Sequence, residues 1–193
     1  MPESIAATSP ANALRYSSTA IVFHWLLTLA IIGTFCVGLY MSGLPFSVQR
    51  VKLINWHKWA GITILTLSVL RLLWRLSHKP PPLSPQILAA MPNWQRMATH
   101  VSHLGMYALF FAVPLLGWAY SSAAGLQIVW FGVLPLPDFV SVDKEFAKEV
   151  LKPLHRNFAY ILAALVVVHV AAAFKHQFVD RDGLMSRMWL RRR

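Results

Sequence analysis

The sequence predicts an all-α integral membrane protein, built as a bundle of four helices. Of its 193 residues 56% are hydrophobic and only 13% are charged, and the mean hydropathy is +0.51. In a soluble domain of this size about a quarter of all residues would be charged. Four segments are also long and apolar enough to cross a bilayer, which takes about 20 helical residues.

Connections that contain prolines join the four predicted spans. The spans cover residues 19–41, 55–76, 97–120 and 154–177. Pro114 lies inside the third, where neighbouring helices can satisfy the carbonyl that a proline leaves unpaired. No connection is long enough for a soluble domain. We therefore expect a flexible N-terminal tail over 1–17, a membrane domain over 18–178 and a basic C-terminal tail over 179–193.

The longest connection lies between the third and fourth spans. Its segment SVDKEFAKEVLK places Phe146, Val150 and Leu151 at helical spacing among charged residues. Such a pattern is typical of a helix that lies in the membrane interface. We therefore expect a short amphipathic helix on the outer side, before the fourth span.

The net charge of +11 comes from residues that flank the apolar runs. Such a distribution indicates membrane orientation and argues against a nucleic-acid partner. Eleven of the eighteen lysines and arginines fall on the side of the two termini and seven on the other. Because the side richer in these residues is usually cytoplasmic, we expect both termini inside the cell.

Two histidines of the fourth span, His155 and His169, are fourteen residues apart in LHRNFAYILAALVVVHVAAAF. This interval is close to four helical turns, so both imidazoles share one face and lie about 21 Å apart along the axis. They therefore lie near opposite sides of a hydrocarbon core about 30 Å thick. A polar ring in this environment is costly unless something binds it.

Two further histidines match this pair in depth. Antiparallel spans bring His24 level with His169 on the cytoplasmic side and His57 level with His155 on the outer side. Each pair could supply two axial ligands to a non-covalent haem b from facing helices. Zinc fits less well, because its sites need three or four converging ligands. The alternative for each histidine is hydrogen-bonded packing. Gly61, one turn after His57, would let a macrocycle approach the backbone.

The remaining histidines have weaker signals. His100 and His103 open the third span, and His103 is an alternative ligand in place of His24 or His169. His176 lies on nearly the same face as His169, at the cytoplasmic surface. It is either a polar tip at the interface or a group that contacts a quinone or relays a proton, since an imidazole exchanges protons near neutrality. His78 is expected to be solvated.

Basic side chains lie close to both predicted haem sites. Arg71 and Arg75 share one face at the cytoplasmic end of the second span. They are either orientation anchors or partners of haem propionates, for which a guanidinium is well shaped. On the outer side, four basic residues near the ligands could neutralise propionates and attract a small anion. These are Lys52, Lys58, Lys152 and Arg156.

Several segments resemble the bacterial cytochrome b561 family. They are FHWLLTLA around His24, LINWHKWAGI around His57, RLLWRL around Arg71, SHLGMYALFFAVPLLG, and the helix of His155 and His169 followed by KHQF. The resemblance covers nearly the whole chain and is closest to the small stand-alone members. Each motif alone is weak, but their order and spacing are specific.

The resemblance implies an inner-membrane bundle with two b haems, one bound by His24 and His169 and one by His57 and His155. It further implies oxidation of superoxide at the periplasmic face and reduction of ubiquinone, with His176 as a possible quinone contact and no catalytic residue assigned. A second possibility is a cytochrome subunit that passes electrons between a partner dehydrogenase or hydrogenase and the quinone pool. A third is a membrane protein with structural histidines and no redox role.

Overall fold

The computed structural model describes residues 15–189 of the chain. Its helices are α1 (Ser18–Ser42), α2 (Val48–Ser77), α3 (Pro85–Ala90), α4 (Asn93–Ala123) and α5 (Lys144–Asp180). Two short strands, β1 (Val129–Trp130) and β2 (Leu134–Pro135), pair antiparallel between α4 and α5. The long helices α1, α2, α4 and α5 can each cross a membrane, which confirms the predicted four-helix bundle.

The long helices extend beyond the apolar runs that predicted them. The helix α2 begins at Val48 and not near residue 55, as the apolar run predicts. The Ser47 side chain caps this start by accepting a hydrogen bond from the Arg50 amide. The extra turns carry the charged residues Arg50 and Lys52. Because these residues interrupt the apolar sequence, the predicted span begins after them. A side-chain cap of this kind satisfies one of the amides that a helix start leaves unpaired.

The residues expected to form a separate interfacial helix are the first turns of α5. Asp143 caps them by accepting from the Phe146 amide at 2.9 Å. The helix then widens into a π-turn over Ala147–Leu151 and continues as a regular α-helix over Lys152–Phe174. The prediction of a separate helix is thus corrected, because the wider turn carries the chain past Pro153 without a break.

The four long helices pack in a ring in sequence order. Contacts are extensive between α1 and α2, α2 and α4, and α4 and α5, whereas α1 and α5 touch over a short stretch. Small side chains allow α4 and α5 to approach closely where Ala119 and Ala123 pack on Ala147 and Leu151. We call the end of the bundle near this cluster the outer end, and the end that carries residues 15–17 and 181–189 the inner end.

The β1–β2 hairpin covers the outer end of α2. The Trp59 indole donates to the Val129 carbonyl at 2.6 Å, and the Trp130 indole donates to the Thr63 hydroxyl at 3.3 Å. The chain reverses through Phe131 and Gly132, both at positive φ. Two consecutive residues in this conformation form the kind of turn that matches the twist of paired strands.

The C-terminal segment folds back onto the inner end. The Arg187 guanidinium is buried and donates to the carbonyls of Pro81 and Pro82 at 2.7 and 2.9 Å. Arg15 donates to the Trp189 carbonyl at 2.9 Å. The described part of the basic tail is therefore attached to the bundle. Residues 1–14 of the predicted N-terminal tail lie outside the described residues.

Candidate functional site

The outer end holds one pair of imidazoles between α2 and α5. The ring centres of His57 and His155 lie 6.0 Å apart, with the rings nearly perpendicular. Nδ1 of His57 lies 3.2 Å from the Thr34 carbonyl oxygen on α1. Nδ1 of His155 lies 2.9 Å from the Val113 carbonyl oxygen on α4. Each ring of this pair is therefore anchored to a helix other than its own.

These hydrogen bonds decide which nitrogen of each ring is available. A carbonyl oxygen can only accept, so Nδ1 of both His57 and His155 must carry the hydrogen. In a neutral imidazole the other nitrogen, Nε2, then keeps a free lone pair. Metal-binding histidines are commonly held in this way, with the second ring nitrogen donating to a carbonyl.

Two glycines make room for the outer imidazoles. A Cβ at Gly38 on α1 would lie 3.1 Å from Cε1 of His57, and a Cβ at Gly117 on α4 would lie 3.0 Å from Cε1 of His155. Carbon atoms in contact are ordinarily about 3.5–4.0 Å apart. Any larger residue at either position would therefore displace the ring. The sequence reasoning missed both glycines, although glycine at ligand depth on a neighbouring span is a usable signal.

The inner end holds a second pair, and a third imidazole lies beside it. His24 on α1 and His169 on α5 have ring centres 6.3 Å apart. The ring of His103 on α4 lies 5.3 Å from that of His169, edge to face. His24 and His169, which the sequence predicts as a pair, thus lie side by side. His103 is close enough to His169 to remain an alternative ligand.

The spacing of the pairs can be tested against a bound metal. Two imidazoles on opposite sides of one ion, each with a metal–nitrogen distance of about 2 Å, have ring centres about 6 Å apart. The separations of 6.0 and 6.3 Å fit this requirement, whereas the 5.3 Å between His103 and His169 is shorter. The donor set of two neutral imidazoles per site also fits the iron of a b-type haem.

The face of α2 beside His57 is open at Gly61. A Cβ built there would meet no atom within 4 Å. The structure therefore has open space at this glycine among the described residues, and its use by a macrocycle stays a prediction. A flat macrocycle needs such a surface, because side chains at this position would keep it from the helix backbone.

Arginines lie next to the inner pair. Nη2 of Arg71 is 3.5 Å from Nδ1 of His24, too far to fix the tautomer of that ring. The guanidinium carbons of Arg71 and Arg75 both lie 5.7 Å from the ring centre of Tyr107 on α4. The two arginines predicted to contact propionates therefore share one aromatic support close to a candidate ligand.

The predicted quinone contact His176 belongs to a separate polar cluster at the inner end. Its Nδ1 lies 2.6 Å from Oδ2 of Asp182, and its Nε2 lies 3.1 Å from the side-chain nitrogen of Gln95. Asp180 also approaches Nδ1 at 3.3 Å but is held by Lys175 at 2.6 Å. The ring is 13% exposed, so it is more enclosed than a polar tip at the interface would be.

The other predicted residues lie nearer the surface. His78 stacks on Trp74 with ring centres 3.8 Å apart, and His100 is exposed. At the outer end the half-buried Lys58 donates to the Leu126 carbonyl at 3.0 Å. The remaining outer basic residues are exposed: Lys52, Lys152 and Arg156.

The fold and these contacts define a four-helix membrane protein with two imidazole pairs at different depths. A family model described as prokaryotic cytochrome b561 matches residues 15–191. Cytochrome b561 homolog 2 of Escherichia coli (strain K12) is 32% identical over 90% of each chain, and its homolog 1 is 29% identical over 93% of this chain and 99% of its own.

A third relative, named probable superoxide oxidase CybB, comes from Yersinia pestis. It is 31% identical over 93% of this chain and 98% of its own. The chain therefore belongs to the prokaryotic cytochrome b561 family. It is a bacterial membrane protein for electron transfer, and its family implies b-type haem.

Proposed function

We propose that the chain is a di-haem b protein of the inner membrane that oxidises superoxide to dioxygen at the periplasmic face and reduces ubiquinone. The observation that carries the proposal is the two imidazole pairs, with ring separations of 6.0 and 6.3 Å. Their members on α5, His155 and His169, lie about 21 Å apart along the helix. The relative named probable superoxide oxidase supports the donor.

The proposal assigns one haem to each pair. His57 and His155 bind the iron of the periplasmic haem, and His24 and His169 bind that of the cytoplasmic haem. The haems supply reversible one-electron chemistry, which the side chains of this bundle lack. The carbonyl of Val113 accepts the Nδ1 hydrogen of His155 and so leaves the Nε2 lone pair of that ring available to a metal.

The proposed reaction balances over two donors. Two superoxide anions each lose one electron and leave as two dioxygen molecules. The two electrons, with two protons, convert one ubiquinone into its quinol. His176 is the proposed quinone contact. The hydrogen bond from Nδ1 of His176 to Asp182, 2.6 Å long, keeps the hydrogen on Nδ1. Nε2 now contacts Gln95, and a quinone could replace Gln95 as its hydrogen-bond partner.

Charge supports both the donor and the orientation. Lys52, Lys58, Lys152 and Arg156 make the outer end basic near the outer pair, which attracts a small anion by electrostatic steering. At the other end, Arg71 and Arg75 are proposed to pair with propionates of the cytoplasmic haem. The larger number of basic residues at the inner end supports cytoplasmic termini.

The first experiment counts the haems. A pyridine haemochrome assay of purified protein should give two b haems per chain. Replacing His155 or His169 singly by alanine should remove one haem each, whereas the exposed His100→Ala serves as a control that keeps both. Preparations without haem despite ample supply would refute the cofactor assignment.

The second experiment tests the donor. Superoxide mixed with the oxidised protein in a stopped-flow instrument should reduce the haems rapidly, and a ubiquinone analogue should reoxidise them. Haems that are present but are reduced no faster than in heat-inactivated protein would refute superoxide as donor. Co-purification of an iron–sulfur subunit with such a protein would then identify the partner-subunit role.

A further inference from the structure

A basic cavity lies at the inner end of the bundle, away from the His176 cluster. It has a volume of about 680 Å³ and opens between α1, α2, α4 and the C-terminal segment. Four of its lining side chains are cationic: Arg15, Arg71, Arg75 and Lys79. None of the described residues that line it is a carboxylate.

The positive charge of this cavity is not balanced within residues 15–189. The acidic groups of the inner end, Asp180 and Asp182, are engaged by Lys175 and His176. The guanidinium carbons of Arg71 and Arg75 each lie 5.7 Å from the centre of the Tyr107 ring, so two like charges are held near one ring and repel each other. A bound anion would relieve this repulsion, and arginine suits a phosphate or carboxylate particularly well.

An apolar groove adjoins the cavity on the side that faces lipid. It has a volume of about 350 Å³ and is lined by Leu72, Leu104, Ala108 and Phe111 of α2 and α4. Arg75 and Tyr107 line both the cavity and the groove. Leu104 is 72% exposed, so this surface is open to a hydrocarbon chain from the bilayer. The charged cavity and the apolar groove are thus neighbours that share two side chains.

We infer that the cavity and groove together bind one anionic phospholipid. Its phosphate lies near Lys79, a cation of the cavity that is not assigned to a haem propionate, and one acyl chain lies in the groove beside Ala108. Basic pockets between membrane helices at the cytoplasmic side are known to bind lipid headgroups of this charge. A quinone headgroup is neutral and would leave the cations unbalanced. The two propionates of one haem would balance only two of the four, so the inference adds to the proposed function.

The test uses purified holoprotein stripped of lipid in detergent. The probes are phosphatidylglycerol, phosphatidylcholine with the same chains, and inorganic phosphate. Native mass spectrometry counts retained lipid, and loss of the haem absorption band on heating gives the midpoint temperature. Phosphatidylglycerol should remain bound and raise the midpoint, whereas phosphatidylcholine and inorganic phosphate should not.

Two variants probe the two halves of the site separately. Lys79→Gln removes a headgroup cation, and Ala108→Phe fills the groove without changing charge; Ala108→Leu is the milder substitute if the larger one does not fold. Each should weaken phosphatidylglycerol binding about tenfold with both haems retained. Arg181→Gln is the matched control, since Arg181 is an exposed cation of the inner end outside the cavity.

Several outcomes would overturn the inference. Equal retention of the two lipids by the wild type would show that the charge of the headgroup does not determine binding. Stabilisation by inorganic phosphate alone would indicate a soluble anion. Loss of haem in Lys79→Gln would assign the cations to the haem, and a raised ubiquinone KM in Ala108→Phe without a lipid effect would assign the groove to the quinone. In these cases the proposed electron transfer would still stand, because haem counts and stopped-flow reduction test it independently.

Discussion

Replacing Gly117 by alanine is expected to damage the outer haem site selectively. The added Cβ would lie 3.0 Å from Cε1 and 3.2 Å from Nδ1 of His155. Ordinary carbon contacts are about 3.5–4.0 Å, so the ring or the helix must shift by about half an ångström or more. The Nδ1–H hydrogen bond to Val113, now 2.9 Å long, would then lengthen towards its limit of about 3.2 Å.

The size of the effect follows from these two changes. An extra carbon in a tightly packed interior costs about 1–3 kcal/mol. Loss of the hydrogen bond that orients a ligating histidine typically lowers metal affinity about 10–100-fold, or about 1.4–2.7 kcal/mol. We therefore expect the outer haem to be partly lost, and the haem of His24 and His169 to be retained.

Haem titration of the purified variant measures the affinity of each site. We expect one haem to bind as in the wild type and the other to bind at least tenfold more weakly. Gly33→Ala is the matched control, because Gly33 is an exposed glycine of a spanning helix and its Cβ would meet no atom within 4 Å. If Gly117→Ala binds both haems as tightly as the control does, the ring packing inferred for His155 is wrong.

Four further substitutions separate the roles of neighbouring residues. His24→Ala should lose the inner haem while His103→Ala keeps it; the opposite result in a haem assay would make His103 the ligand. Gly61→Leu, which meets no protein atom at Cβ, should lower outer haem content without lowering the stability of the haem-free protein; unchanged content would show that no macrocycle lies there. Arg71→Gln should lower the midpoint potential of the inner haem, because a removed positive charge favours the oxidised form; redox titration measures it, and an unchanged potential would contradict the proximity.

The helices and the depth of the histidines were predictable because both depend on local sequence. Apolar length predicts a span, and a fourteen-residue interval predicts two imidazoles on one face. Antiparallel order then predicts which histidines meet, and the structure places His24 beside His169 and His57 beside His155. The part played by these residues as ligands remains a prediction.

The surroundings of the histidines were not predictable, because they depend on how the helices rotate and cross. The carbonyls that hold His57 and His155 belong to Thr34 and Val113, and a backbone oxygen has no signature in sequence. The distance of His103 from His169 depends likewise on helix rotation. The continuity of α5 past Pro153 depends on a π-turn, which the residue pattern of this segment does not distinguish from a break.

The two histidine pairs differ in a way that favours electron flow from the outer end to the inner end. At the outer pair both Nδ1 groups donate to carbonyls, which makes the imidazoles more basic and stabilises oxidised iron. At the inner pair the cation Arg71 lies 3.5 Å from a ring nitrogen of His24, and a positive charge stabilises reduced iron. In the proposed di-haem protein both contacts favour a lower potential at the outer haem. The basic surface of the outer end acts in the opposite direction, but Lys52, Lys152 and Arg156 are exposed, so that solvent and salt screen their charge. With the contacts of the ligands as the larger effect, electrons given up by superoxide would move downhill towards the inner end, in the direction that the proposed reaction requires.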